Sequence, residues 1–228
     1  MDVEPSLTVI GIRPLKRGRQ RVIELSDGRE FFFSAEAIER VGGVAEGEPI
    51  TEAHLQDLDA AELRVSAHEA ALRLLSARPR SEKEMQTRLA MRGYPPEAIE
   101  AEVVRLRTAG LLDDSKFAAA WVEDRRRLAP RGRRMLRYEL LGRGIDPEAV
   151  EQVTADFDDR AVALELARQK ARRAPRDTYE AFVAKVGGFL KRRGFDYEVS
   201  AAATRTAWDE TASAGDMETD QSKAGAVD

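Results

Sequence analysis

Three stretches of the chain can be laid over one another: Leu89-Ala90-Met91-Arg92-Gly93-Tyr94-Pro95-Pro96-Glu97, Leu140-Leu141-Gly142-Arg143-Gly144-Ile145-Asp146-Pro147-Glu148, and Leu190-Lys191-Arg192-Arg193-Gly194-Phe195-Asp196-Tyr197-Glu198. Each has a leucine four residues before a glycine, an arginine one before it, a large apolar residue one after it and a glutamate four after it. Eight residues before the glycines stand Met85, Leu136 and Val186. The apolar pair at i, i+4 leading to a glycine is the pattern of a helix closed by a left-handed C-cap. A self-similar unit of about fifty residues marks a modular array in which each unit buries its apolar face against neighbouring helices. Arrays of this kind bind along extended surfaces, so the pattern points towards a long partner and away from a reaction.

Working outward, everything from Ser66 onward reads as helical. Ser66-Ala67-His68-Glu69 and Ser81-Glu82-Lys83-Glu84 both have the form of a capping box. Ile99, Val103 and Leu106 line one face of the helix after Pro95-Pro96. Asp113-Asp114 opens a helix carrying Phe117, Trp121 and Val122. Asp146-Pro147 sets an N-cap with proline at the first helical position, and Asp158-Asp159 starts another helix. The spacing predicts three tandem three-helix repeats, at about 66–127, 128–174 and 175–208, forming an elongated, mainly α array within residues 63–208. Pro130, in Arg127-Leu128-Ala129-Pro130-Arg131, interrupts helix and reads as a hinge.

Residues 1–62 differ in character. Leu7–Ile12 is a β-like run. Gln20–Leu25, the turn Ser26-Asp27-Gly28 and Arg29–Phe33 read as a hairpin. Ser34 caps a short helix that Gly42-Gly43 stops, and Thr51 caps another running to about Asp59. This predicts a small β-rich N-terminal domain with a helical linker. At the other end, the net charge of −4 divides unevenly: residues 209–228 hold six acids and one lysine, a net of −5, which leaves the remaining 208 residues at +1. With no apolar periodicity, that acidic tail is expected to be disordered.

Composition narrows the function classes. Hydrophobic residues make up 43% and charged residues 34%. With no cysteine and only His54 and His68, neither a thiolate metal site nor a zinc site can be assembled, so no metal, cofactor or catalytic residue is assigned. Gly42-Gly43 lacks the lysine and the spacing of a nucleotide loop. Asp113-Asp114 is explained by a helix start, as is Asp158-Asp159. No apolar run reaches the ~20 residues of a membrane span. The opening Met1-Asp2-Val3-Glu4-Pro5 lacks the regions of a signal peptide, so a cytoplasmic protein that is not an enzyme is expected.

What remains as candidate binding chemistry is basic. The densest cluster is Arg125, Arg126, Arg127, Arg131, Arg133, Arg134 and Arg137. Lys170, Arg172, Arg173 and Arg176 form a second, and Lys191, Arg192 and Arg193 a third. Guanidinium groups grip carboxylates or phosphates through paired hydrogen bonds. The competing account is a solvated face with cations compensating helix C-termini. Lys16, Arg17, Arg19 and Arg21 read as a polar loop, and Trp121 and Trp208 as core.

Several of these motifs, in this order, resemble the RecX family of regulatory proteins. They are Arg80-Ser81-Glu82-Lys83-Glu84-Met85 leading to Leu89 and Arg92-Gly93; Gly110-Leu111-Leu112-Asp113-Asp114-Ser115-Lys116-Phe117-Ala118; Gly132 leading to Glu139-Leu140 and Gly144-Ile145; and Leu190-Lys191-Arg192-Arg193-Gly194-Phe195. The resemblance covers about residues 66–207. Met85 stands where the family usually has leucine, and the acidic tail is not a family feature. The resemblance implies a protein that binds the RecA recombinase and its filament on single-stranded DNA, and a monomer is expected. It implies modulation, usually inhibition, of the ATPase, strand-exchange and coprotease activities, with at most a weak direct DNA contact. The alternative reading from the residues is a helical-repeat module that binds nucleic acid directly.

Overall fold

The computed structural model describes residues 7–15, 19–175 and 177–224, with side chains described up to residue 213. The chain divides into two compact units, Met1–Asp113 and Asp114–Asp228.

The first unit begins with a four-stranded antiparallel sheet: β1 (Leu7–Pro14), β2 (Gln20–Leu25), β3 (Glu30–Ser34) and β4 (Pro49–Ile50), in the order β3-β2-β1-β4. The β2–β3 hairpin turns at Gly28, whose φ of 86° is in the left-handed region open to glycine. Asp27 stabilises the turn by accepting from the Arg29 backbone N–H at 3.0 Å. Ser34 ends the hairpin and caps α1 (Ala35–Arg40), accepting from the Ala37 N–H.

One helix, α2 (Glu52–Ala77), then serves both parts of the unit. Leu55 and Leu58 pack under the sheet with Val9, Ile23, Leu25, Phe33 and Ile50. Ala61 and Val65 meet Ala37 of α1. Further along, Ala70, Ala71 and Leu74 pack against α3 (Glu82–Ala90) and α4 (Pro96–Thr108) through Met85, Leu89, Ile99, Val103 and Leu106, with Leu112 after α4 joining the same core. Thr51 caps this helix, but the sequence reading of a stop near Asp59 and a fresh start at Ser66 is corrected. No glycine or proline lies between Glu52 and Ala77, and helix-favouring alanines fill the expected break. Ser66, inside the helix, has its hydroxyl 2.7 Å from that of Tyr94 and caps nothing. Ser81 does cap α3, accepting from the Glu84 N–H.

The second unit contains α5 (Asp114–Leu128), α6 (Arg133–Gly142), α7 (Pro147–Thr154), α8 (Asp159–Ala171), α9 (Tyr179–Arg192) and α10 (Tyr197–Ala224). Its buried side chains sort into two clusters. Phe117, Ala118, Leu140, Ile145 and Val150 join α5, α6 and α7. Ala163, Leu166, Phe182, Val186, Leu190, Phe195, Ala203 and Ala207 join α8, α9 and α10. Three cores thus enclose α2–α4, α5–α7 and α8–α10. The repeats close one helix earlier than the boundaries read at 127 and 174. Phe117 and Leu166 are committed to the helices that follow them, which composition along the chain does not reveal.

The middle helix of each repeat ends identically. Gly93, Gly144 and Gly194 have φ of 86°, 82° and 88°. The next residue's N–H bonds back to the conserved leucine: Tyr94 to Leu89 O at 3.3 Å, Ile145 to Leu140 O at 3.2 Å, Phe195 to Leu190 O at 3.3 Å. This is the Schellman pattern, which satisfies carbonyls left open at a helix end. It also turns Ile145 and Phe195 into the core, and Tyr94 partly so.

One expectation at the C-terminal end changes. The tail expected to be disordered from Asp209 continues as α10, which runs to Ala224. Glu210, midway along α10, holds Arg168 of α8, with an Oε2–Nε distance of 2.9 Å. Lys16, Arg17, Arg176 and the last four residues of the acidic stretch lie outside the described residues.

The three caps share one backbone conformation but not one environment. A Cβ on Gly93 would meet nothing within 4 Å, whereas one on Gly194 would collide with Met135 of α6. Gly93→Ala should therefore cost about 1–2 kcal/mol for the left-handed backbone alone. Gly194→Ala should cost a further ~1–3 kcal/mol for the forced displacement. Urea denaturation of the two variants measures the difference, and equal costs would refute the packing argument.

Candidate functional site

The seven-arginine cluster at 125–137 separates into two populations once its partners are seen. Glu139, half-buried on α6, collects the first. Its Oε2 accepts from Trp121 Nε1 at 2.9 Å and from Arg125 Nε at 2.7 Å, and its Oε1 lies 3.6 Å from Arg131 Nε. The Arg125 and Arg143 guanidinium groups sit 4.1 and 3.6 Å from the Trp121 ring centroid, within cation–π range. These side chains hold α5 to α6.

Arg133 belongs to the same structural population. Its guanidinium donates to Ala155 O at 2.9 Å and Phe157 O at 2.8 Å, closing the end of α7. Its backbone N–H donates to Asp159 Oδ1 at 2.8 Å. Burial pushes the Asp159 carboxyl above the ordinary aspartate range, and the Arg133 hydrogen bond offsets part of that. Arg137 pairs with Glu151 at 2.7 Å.

Arg193, from the third cluster, is also committed. It donates to Pro130 O at 2.9 Å, while Gly132 N–H donates to Arg193 O at 2.9 Å. Its guanidinium lies 4.7 Å from the Phe189 ring centroid, and burial lowers its proton affinity. A Cβ on Gly132 would stand 2.5 Å from Gly194 O. The segment around Pro130, read as a hinge, is instead pinned between the second and third repeats. Lys170 likewise lies over Phe189, at 5.2 Å.

The second population is exposed. Arg126 and Arg127 have side chains 63% and 71% accessible, with only loose contacts to Glu123 at 3.9 Å and Asp124 at 3.6 Å. Pairs of this kind contribute little. Arg134, Arg172, Arg173, Lys191 and Arg192 are exposed as well. Of the thirteen candidate cations, these seven are available to a partner.

Sequence reasoning missed a groove on the third repeat. Its volume is about 460 Å³. Tyr179, Val183, Gly187 and Gly188 of α9 form one side, and Tyr197, Ser200, Ala201 and Thr204 of α10 the other. Arg134, Lys191 and Asp196 also line it. The sequence signal was Gly187-Gly188, seven and six residues before Gly194. The matching positions are Arg137-Tyr138 in the second repeat and Gln86-Thr87 in the first. Each mid-helix glycine costs about 0.8–1.0 kcal/mol against alanine. Among the described residues, no group of three or more His, Asp or Glu could hold a metal, and no helix is long and apolar enough to cross a membrane.

Comparison with known proteins agrees with this division into repeats. Residues 67–106, 113–153 and 158–203 match the family models described as the first, second and third three-helix domains of RecX. The regulatory protein RecX of Mycolicibacterium vanbaalenii is 39% identical over 134 residues, covering 55% of this chain and 73% of that protein. That of Mycobacterium avium is 39% identical over 133 residues, covering 57% and 77%. Among solved structures, a crystal structure of regulatory protein RecX aligns with TM-score 0.68 at 22% identity, over 87% of this chain and 99% of that one. RecX from Lactobacillus salivarius aligns with TM-score 0.58 at 23% identity, over 64% and 97%.

The division of the arginines is open to test by stability. Arg133→Ala should cost about 2–3 kcal/mol, because it leaves two carbonyls without their charged donor. The double variant Arg126→Ala/Arg127→Ala should stay within about 0.5 kcal/mol of the parent. Chemical denaturation followed by circular dichroism reads both, and a reversed order would undo the assignment.

Proposed function

The chain belongs to the RecX family of regulatory proteins, and on that premise we propose that it binds the RecA recombinase filament and restrains its ATPase, strand-exchange and coprotease activities. The observation that carries this reading is the presence of all three RecX three-helix domains in order, each with its own intact core. The chemistry is that of recognition. The arginine-rich surface has cations to spare, and the polar groups that cluster, around Glu139 and Asp159, are spent on holding helices together.

A protein that offers several weak contacts to a repeating polymer gains from their linkage. Each engaged patch raises the effective concentration of the next, so avidity exceeds any single contact by ~100-fold or more when the geometry permits. Arg126, Arg127, Arg172 and Arg173 suit an acidic partner surface, and the contact should weaken with salt because exposed charges are screened beyond ~8–10 Å.

The test is single-stranded-DNA-dependent ATP hydrolysis by the cognate RecA, titrated with this protein. Inhibition below stoichiometric amounts is expected, with a weaker effect when Arg126, Arg127, Arg172 and Arg173 are reversed to glutamate in a variant that melts normally. Undiminished hydrolysis, alongside tight salt-dependent binding to bare single-stranded DNA, would favour a direct nucleic-acid-binding role.

A further inference from the structure

We infer that the groove between α9 and α10 is a docking site for an acidic peptide segment that also carries bulky apolar side chains, contributed by the recombinase partner. This rests on the regulatory reading above and names the surface through which part of it would act.

The groove is built from contradictory-looking choices that make sense together. Val183 is 37% exposed and Tyr197 is 85% exposed, which leaves large apolar surface open on both sides of the groove. Between them the floor is bare at Gly187 and Gly188. Nothing in the fold demands that bareness. A Cβ on Gly187 would meet Thr204 Oγ1 at 3.5 Å and Val183 Cγ1 at 3.7 Å, and one on Gly188 would meet only the mobile end of Arg192 at 3.4 Å. These are tolerable contacts, and neither residue has positive φ. In the second repeat the same two positions carry Arg137 and Tyr138, whose side chains are exposed. The third repeat alone thus pairs a helix-weakening glycine pair with an open apolar trough, whose size is within the range of ligand sites.

The charge at the groove's edge selects the occupant. Arg134 and Lys191 line it and make no ion pair with any described residue, while Asp196 supplies one opposing charge. Two cations against one carboxylate suit a peptide carboxylate seated beside an apolar side chain. A single-stranded nucleic acid would instead call for a continuous basic track, which Asp196 interrupts.

The experiment uses the full chain and fluorescently labelled overlapping peptides tiling the cognate RecA, with binding read by anisotropy. Acidic–apolar peptides should bind the wild type. They should bind Gly188→Leu, which fills the trough, and Arg134→Glu/Lys191→Glu at least about tenfold more weakly. Gly188→Leu should melt no lower than the wild type, because it replaces a helix-interior glycine. Restraint of RecA ATPase should weaken in step. If the wild type restrains ATPase and well-folded variants restrain it equally, the groove assignment is overturned while the regulatory role stands. Displacement of the peptides by a short single-stranded oligonucleotide would make nucleic acid the occupant and also overturn it. If the wild type leaves ATPase untouched, the regulatory role fails. Groove-dependent binding of a recombinase peptide would still support the site, and its absence would remove the site too.

Discussion

The left-handed glycine that closes the middle helix of every repeat is the constraint on which the rest of the fold depends. At Gly93, Gly144 and Gly194 it lets the following N–H reach back to the conserved leucine carbonyl and turns the next apolar residue inward. One backbone conformation therefore settles where a helix stops and which side chain begins the next layer of core. At Gly194 the same residue is also a contact surface: Met135 approaches so closely that no side chain fits there, and the Gly194 carbonyl in turn leaves no room for one on Gly132. The cap of the third repeat is thereby the joint between the second and third.

The arginine before each glycine shows how one sequence position takes different work in each repeat. Arg92 reaches the Ala70 carbonyl on α2, Arg143 lies over Trp121 of α5, and Arg193 holds the Pro130 carbonyl. All three brace the middle helix against a neighbouring segment. A guanidinium can do this half-buried because its planar face stacks on apolar or aromatic surface while its edge donates. A dense basic cluster is consequently a poor guide to a binding face until its acids are located. Glu139 engages both Arg125 and Arg131, and it stands just beyond the cluster in the sequence without any pattern that assigns it.

Much of the fold was legible in the residues. The i, i+4 apolar pairs, the Arg-Gly steps, the Asp146-Pro147 and Asp158 caps and the Gly28 hairpin all act locally, within a few bonds, so their spacing carries their structure. Two local signals misled for identifiable reasons. Ser66 and Glu69 have the form of a capping box, but a cap forms only where a helix has cause to stop, and α2 has none. Residues beyond Asp209 have a disordered composition, yet the start of that stretch extends a packed helix whose Ala203 and Ala207 are buried, with Glu210 engaged by Arg168.

The sequence by itself determined the number of repeats, their helical content, the glycine caps and the leucines of the core, because helix periodicity and left-handed backbone are properties of neighbouring residues. Only the tertiary structure decided which three helices share a core, which arginines are spent on carbonyls and Glu139, and that Gly187-Gly188 floors a groove. Those outcomes depend on residues tens of positions apart, such as Arg133 with Phe157 or Arg193 with Pro130, coming within hydrogen-bond distance, and no periodicity along the chain encodes that proximity.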